Sequence, residues 1–158
     1  MDLAIKPTSS PLKAKKLNTV SQTFADINED PLKFPPTQFY IDQIAMLSKF
    51  LDNRPLYIHL FTDDKNPQKL LQLLQQHVDL PNITYGYNNS GSLIHDCYHM
   101  AQFDCLIKST STFSSIAQLI GDHMITIIPT ESFWDSNILV INNTTWFIRS
   151  EKLPLFLG

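Results

Sequence analysis

Hydrophobic positions along the chain change period several times, and each change marks an element. Between residues 37 and 51 they fall at Phe39, Tyr40, Ile44, Leu47, Phe50 and Leu51, a helical stripe, with Thr37 placed to cap it and 53–55 to end it. Residues 56–61 (LYIHLF) are apolar apart from His59. An unbroken run of that length fits a central strand covered on both faces, and the histidine inside it reads as a satisfied interior side chain rather than a ligand. Asn66 and Pro67 suit the N-cap and first position of a helix over 68–78, which turns Leu70, Leu71, Leu73, Leu74 and Val78 inward. Residues 82–87 (NITYGY) predict a third strand, 88–92 a loop, and 93–102 a helix with Leu93, Tyr98, Met100 and Ala101 partly buried.

The most regular pattern spans 103–129. A short apolar run at 103–107 gives way to a hydroxyl-rich stretch at 108–112. Phe113, Ile116, Ala117 and Ile120 then follow at helical spacing, Gly121 suits a helix stop, and 124–128 is a second apolar, β-branched run. A strand–helix–strand unit of this length implies a right-handed parallel crossover. Its expected core, with the earlier strand, comprises Leu56, Ile58, Leu60, Leu106, Ile107, Ile116, Ile125 and Ile127. Past Pro129, residues 130–136 read as a loop exposing Phe133 and Trp134, 138–141 and 146–148 as short strands, and 153–158 as a tail.

Residues 1–36 differ from the rest. They carry Lys, Ser, Thr, Asn and Asp, with Pro7, Pro11, Pro31, Pro35 and Pro36, and no sustained periodicity. They read as a flexible or incomplete arm, with a short helix at 20–27. The alternation of strands and helices over 37–158 predicts an α/β fold, a Rossmann-like doubly wound parallel sheet forming one lobe.

The 158 residues suit a single domain with one sizeable core. With 17% charged residues and a net charge of −3, the chain lacks the basic field that attracts nucleic acid or an anionic membrane. No apolar run reaches membrane-spanning length and the first thirty-odd residues lack a signal-peptide pattern, so no transmembrane segment and a cytoplasmic location are expected. Cys97 and Cys105 match no metal-ligand spacing and are expected to be reduced thiols.

Candidate chemistry gathers after the predicted strands, on the edge where open parallel sheets bind ligands. The turn KSTSTFSS at 108–115 leads into a helix start, where unpaired N–H groups and the helix dipole favour an anion. Lys108 adds charge and the hydroxyls add donors, which together suit a diphosphate. The alternative is that Ser111 or Thr112 only caps the helix. Asp63 and Asp64 follow the LYIHLF strand; they suit a ligand edge, or equally a dipole-favoured helix approach, and two carboxylates alone do not make a metal site. His95, Asp96 and His99 lack a fourth ligand and read as a solvated helix face.

Three segments together resemble the carboxyl-terminal, GDP-sugar-binding half of fucosyltransferase-like proteins of GT-B architecture, bacterial α-1,2-fucosyltransferase-like proteins in particular. They are YIHLFTDDKNP at 57–67, similar to a strand ending in Thr/Ser-Asp-Asp; HDCYHMAQFDCLI at 95–107, similar to an Asp-x-x-x-Met helix entering a buried strand; and KSTSTFSSIAQLIG at 108–121, similar to a Ser-x-Phe-Ser turn. The resemblance implies a single lobe of a GT-B fold that takes a GDP-sugar as donor substrate for a glycan acceptor, with no cofactor or metal. It places Ser111, Thr112, Phe113 and Ser114 against the diphosphate, Asp63 and Asp64 by the nucleotide, and Asp96 nearby. The family's His-x-Arg-x-Gly-Asp motif is absent, and Arg54 and Arg149 are the only arginines. Without that phosphate-binding arginine no catalytic residue is assigned, and a complementary amino-terminal lobe becomes an implied partner. A catalytically inactive nucleotide-binding or interaction module of Rossmann-like fold is the alternative.

Overall fold

A computed structural model describes residues 1–7, 30–87 and 91–154. Its sheet is built from β1 (Asp2–Pro7), β2 (Leu56–Phe61), β3 (Ile83–Tyr87), β4 (Cys105–Ile107), β5 (Ile125–Asp135) and β6 (Ile138–Ile148). Helices α1 (Thr37–Phe50), α2 (Pro67–His77), α3 (Leu93–Met100) and α4 (Thr112–Ile120) intervene, with a 3-10 turn at Pro31–Lys33. The strand order is β3-β2-β1-β4-β5-β6. β2 pairs parallel with β3 and β4 with β5, whereas β1 is antiparallel to both β2 and β4, and β6 is antiparallel to β5. Four strands therefore share one direction, and β1 and β6 oppose them. The α/β, Rossmann-like expectation holds, with a mixed open sheet; the order is that of a dinucleotide-binding fold, and its central strand is reversed.

Residues directly opposite in a ladder share a face. Leu3 and Ile5 of β1 lie opposite Leu60 and Ile58 on one side and Ile107 and Cys105 on the other, forming one continuous apolar face. Helix α1 covers this face near β6, where the Trp146 indole donates to Gln43 Oε1 at 3.0 Å. Ala4, His59 and Leu106 line the opposite face. Lys108, the next residue of that face, donates to Ser115 Oγ on α4 at 3.1 Å, so α4 lies there. Helices α1 and α2 contact each other, as do α3 and α4. Two-sided covering explains why the strand runs are apolar throughout instead of alternating.

Of the expected core, Leu56, Ile58, Leu60, Leu106, Ile107, Ile125 and Ile127 are fully buried. Ile116 is the exception, 48% exposed. Helix α4 buries Ser114 and Ala117, small residues that bring its backbone close to the sheet, and turns Ile116, Leu119 and Ile120 outward. Leu93 and Tyr98 of α3 are likewise exposed, while Met100 is buried. Helix α2 matches its expected start, with the Asn66 side chain accepting the Lys69 N–H at 3.3 Å and Pro67 in the first turn. In α1 Thr37 is the first helical residue and Pro36 the cap, without a side-chain cap bond.

The start of the chain departs from the arm expected over 1–36. Residues 2–7 form the central strand, and Leu3, Ala4 and Ile5 are fully buried. Three apolar residues between Asp2 and Lys6 are too few to register as a period, and the prolines around them dominate the sequence pattern. Residues 8–29, with the helix expected at 20–27, lie outside the described residues. Past them, Leu32 O accepts the Thr110 N–H at 3.2 Å, which ties this segment to the turn after β4.

The end of the fold is also more regular than expected. The loop expected at 130–136 is a continuation of β5, and the two short strands at 138–141 and 146–148 are one strand, β6. Ser136 and Asn137 join them with φ of 47° and 71°, the two positive values of a type I′ hairpin turn. Only Ile125–Ile127 of β5 pair with β4, so the rest of the hairpin projects past the sheet.

Candidate functional site at the carboxyl edge of the sheet

β2, β3 and β4 run the same way, so their carboxyl ends share one edge. The reversed β1 begins there, which brings Asp2 to the same place. Asp63 and Asp64 leave β2 at this edge, α3 with Asp96 follows β3, and the 108–115 turn follows β4. All the sequence-predicted residues therefore belong to segments leaving one side of the sheet. The geometry within that edge is less uniform.

The turn after β4 is tied to β1. The Ser109 N–H donates to Asp2 Oδ1 at 2.6 Å, in a buried contact spanning 107 residues. Lys108 is buried beside it, and burial pulls its ammonium down while the Asp2 charge opposes the shift. Asp2 is thus an internal carboxylate at the position where an incoming anion was expected. No motif marked it in the sequence, because the strand that carries it was illegible.

The hydroxyls of the turn largely satisfy one another. Ser111 caps α4, its Oγ accepting the Ser114 N–H at 3.3 Å. The Ser111 and Ser114 hydroxyls lie 2.7 Å apart, and the Ser115 hydroxyl donates to Ser111 O at 2.9 Å. Ser114 is fully buried, Phe113 is half-buried against the core, and Thr112 is exposed. The capping role of Ser111 is therefore present, and Thr112 is presented to solvent, as are Thr110 and Ser115.

The carboxylates fall into three situations. Asp64 organises the approach to α2: its N–H donates to Thr62 Oγ1 at 3.1 Å and its Oδ1 accepts the Asn66 N–H at 2.7 Å. Asp63 remains exposed, and partial desolvation holds its carboxyl above the usual range, with Asp64 adding to the shift. Asp96 is buried in the first turn of α3, which corrects the solvated face expected for it; the His95 and His99 rings meet on that helix at a tilt, with centroids 4.7 Å apart. Among the described residues no three His, Cys, Asp or Glu side chains gather to hold a metal.

Behind the edge, His59 is interior as expected. The Tyr57 hydroxyl and His59 Nδ1 lie 2.8 Å apart, and the His59 ring packs on Tyr57, Phe61 and Phe103. Burial pushes the Tyr57 hydroxyl up to about 12. Gly86 stands opposite His59 in β3, and a Cβ there would run into the Tyr57 hydroxyl, so the close approach needs glycine. This is packing chemistry and offers no ligand space.

Two open grooves lie away from the turn. One, of about 640 Å³, runs along α2 past Lys69, Gln72 and Gln76 and reaches Asp64. The other, of about 750 Å³, lies between α1 and β6, with Met46, Phe50 and Trp146 on its walls. No helix among the described residues is long and apolar enough to cross a membrane. No protein-family model, curated protein or solved structure matches the chain.

Proposed function

We propose that the chain is the nucleotide-sugar-binding lobe of a fucosyltransferase-like glycosyltransferase, meeting the diphosphate of a GDP-sugar at the carboxyl edge of the sheet. The observation that carries this reading is the convergence there of the exits from β2, β3 and β4, with buried Lys108 and the start of α4 among them. The diphosphate would approach the exposed first residue of α4, Thr112, since Asp2 holds the Ser109 N–H. Helix-start N–H groups and the Lys108 charge supply the attraction. Transfer to a glycan acceptor requires a second lobe that places the acceptor and neutralises the phosphates, because the arginine motif is absent; the chain alone binds donor without turning it over.

Calorimetric titration with GDP, GDP-fucose and UDP tests this reading. Guanine nucleotides are expected to bind more tightly than UDP. Thr112→Glu sets a carboxylate where the diphosphate sits, yet acidic residues suit a first helical turn, so the fold is retained. Its GDP affinity is expected to fall by about ten- to a hundredfold. No heat with any nucleotide, or unchanged affinity in folded Thr112→Glu, would remove the proposal.

A second reading, a protein-interaction module, is favoured by the outward apolar side chains of α3 and α4. Leu119, at 85% exposure, and Ile94 lie on adjacent helices and face solvent.

A further inference from the structure

The last strand carries an inference independent of nucleotide binding. Among the described residues β6 ends the sheet, and it runs for 11 residues, ILVINNTTWFI, without a charge, a proline or a glycine. Edge strands are commonly guarded by lysine, proline or short length, because unpaired N–H and C=O groups recruit further strands. The opposite edge, β3, has 5 residues. In β6 the guards are the Asn143 side chain, whose Oδ1 accepts the Thr144 N–H, and an irregularity of register in which Thr130 of β5 and Asn142 of β6 are each skipped as extra residues beside the Glu131–Asn143 pair. Exposed Ile138, Phe147 and Ile148 extend the apolar surface of this edge, and Met46 and Phe50 flank it.

We infer that β6 is a self-pairing edge, and that two copies of this chain join there antiparallel about a two-fold axis at Asn143. The direction of the open hydrogen-bonding groups follows from the ladder. Arg149 N–H donates to Met124 O, toward β5, at 2.9 Å. Alternation then turns the N–H groups of Ile148 and Trp146 outward, and that of Thr144 too, where it donates to the Asn143 Oδ1 of its own chain at 2.9 Å. With Asn142 set aside as the extra residue, the same alternation turns Ile141 and Leu139 outward.

A two-fold at Asn143 sets Ile141 opposite Thr144 and Leu139 opposite Trp146, each pair exchanging hydrogen bonds once the Thr144 N–H leaves Asn143 Oδ1. Val140 meets Thr145 and Ile138 meets Phe147 in the intervening pairs. Apolar end thus meets apolar end, polar centre meets polar centre, and no charge faces another. That mirror symmetry of pattern is what selects a second copy as the occupant, since an isologous contact must be complementary to itself. The strand spans about 35 Å, enough with its flanking aromatic side chains for an interface of ordinary size.

The experiment uses the full chain. Sedimentation velocity is expected to show twice the chain mass. Asn143 sits in a pair without hydrogen bonds, where facing Cα atoms are about 4.5 Å apart, within disulfide reach. Asn143→Cys is therefore expected to form a disulfide-linked dimer on mild oxidation, while Leu119→Cys on α4 stays single; Cys97 and Cys105 are buried and contribute nothing. Adding Thr144→Pro, which removes an outward donor without breaking the ladder to β5, abolishes the cross-link. A wild-type chain of single mass at all concentrations would overturn the inference and leave the edge for a different protein. So would a dimer that cross-links through Leu119→Cys and not through Asn143→Cys, which would move the contact to the α3–α4 face.

Discussion

His123 is buried between α4 and β5, its Nδ1 2.8 Å from Phe103 O and its Nε2 3.4 Å from Ala117 O. A neutral imidazole has one N–H, and the shorter contact takes it, donating to the Phe103 carbonyl. Desolvation holds the pKa of His123 below its usual value, with the two carbonyls and the Asp104 and Asp122 charges opposing. The folded pKa lies below the unfolded one, so between them the unfolded chain binds more protons. Stability from this group is full above about pH 6.5 and is lost as pH falls through the folded value. The melting temperature is expected to drop as pH falls below about 6.5, and His123→Gln, which keeps a donor but cannot protonate, flattens that slope. An equal slope in the variant would show that other groups carry it. Asp104, raised mainly by its own burial, acts just above the usual carboxylate value and in the opposite sense. Gly121 belongs to the same arrangement. The sequence marks it as a helix stop, and it is the C-cap of α4 with φ of −85°, so backbone freedom is not its reason. A Cβ there would meet the His123 ring and lie 2.7 Å from Ala117 O.

At the scale of elements, α4 shows how far periodicity alone reaches. The spacing of Phe113, Ile116, Ala117 and Ile120 located the helix, and Ser111 was already one of the two candidate caps. The buried arc is nonetheless Ser114 and Ala117. An apolar stripe reveals which residues share a face, while the side chain that touches the sheet is set by how closely the backbones approach. At the start of α4 that approach is governed by hydroxyls bonded to backbone. Ser111→Ala removes the acceptor for the Ser114 N–H and is expected to lower unfolding stability by about 1 kcal/mol in denaturant titration, with the slope against denaturant unchanged. Stability equal to wild type would mean that Ser109 or water replaces the cap. The remaining misjudged elements share a physical origin. β1 is six residues beside a proline-rich stretch, and β5 and β6 carry polar residues on their exposed parts, so neither offers a long single-period signal.

At the scale of the whole molecule, the candidate edge was legible where it depends on strand direction and illegible where it depends on β1. Strands β2, β3 and β4 fixed the edge to which Asp63, Asp64, Asp96 and the 111–114 turn belong. The reversal of the central strand, which sets Asp2 into that edge, has no local signature. In a dinucleotide-binding fold the first strand ends at the ligand and its following turn holds the phosphates. Here its beginning is there, bearing a carboxylate. That charge opposes the proposed diphosphate, and it also sustains the ammonium form of Lys108. Asp2→Asn separates these effects, because the amide oxygen still accepts the Ser109 N–H while the charge is lost. At an effective dielectric near 20, one charge about 8 Å from another contributes about 2 kcal/mol, less where water screens it. GDP is therefore expected to bind about five- to tenfold more tightly to Asp2→Asn at neutral pH. The folded state should lose about 1 kcal/mol, the difference between a charged and a neutral hydrogen bond. The gain should shrink as salt rises, since it is electrostatic. Calorimetry across salt concentrations measures both quantities of interest. Unchanged GDP affinity in the folded variant would place any nucleotide away from β1 and the 108–111 turn, and weaker binding would show that Asp2 serves the anion by keeping Lys108 charged.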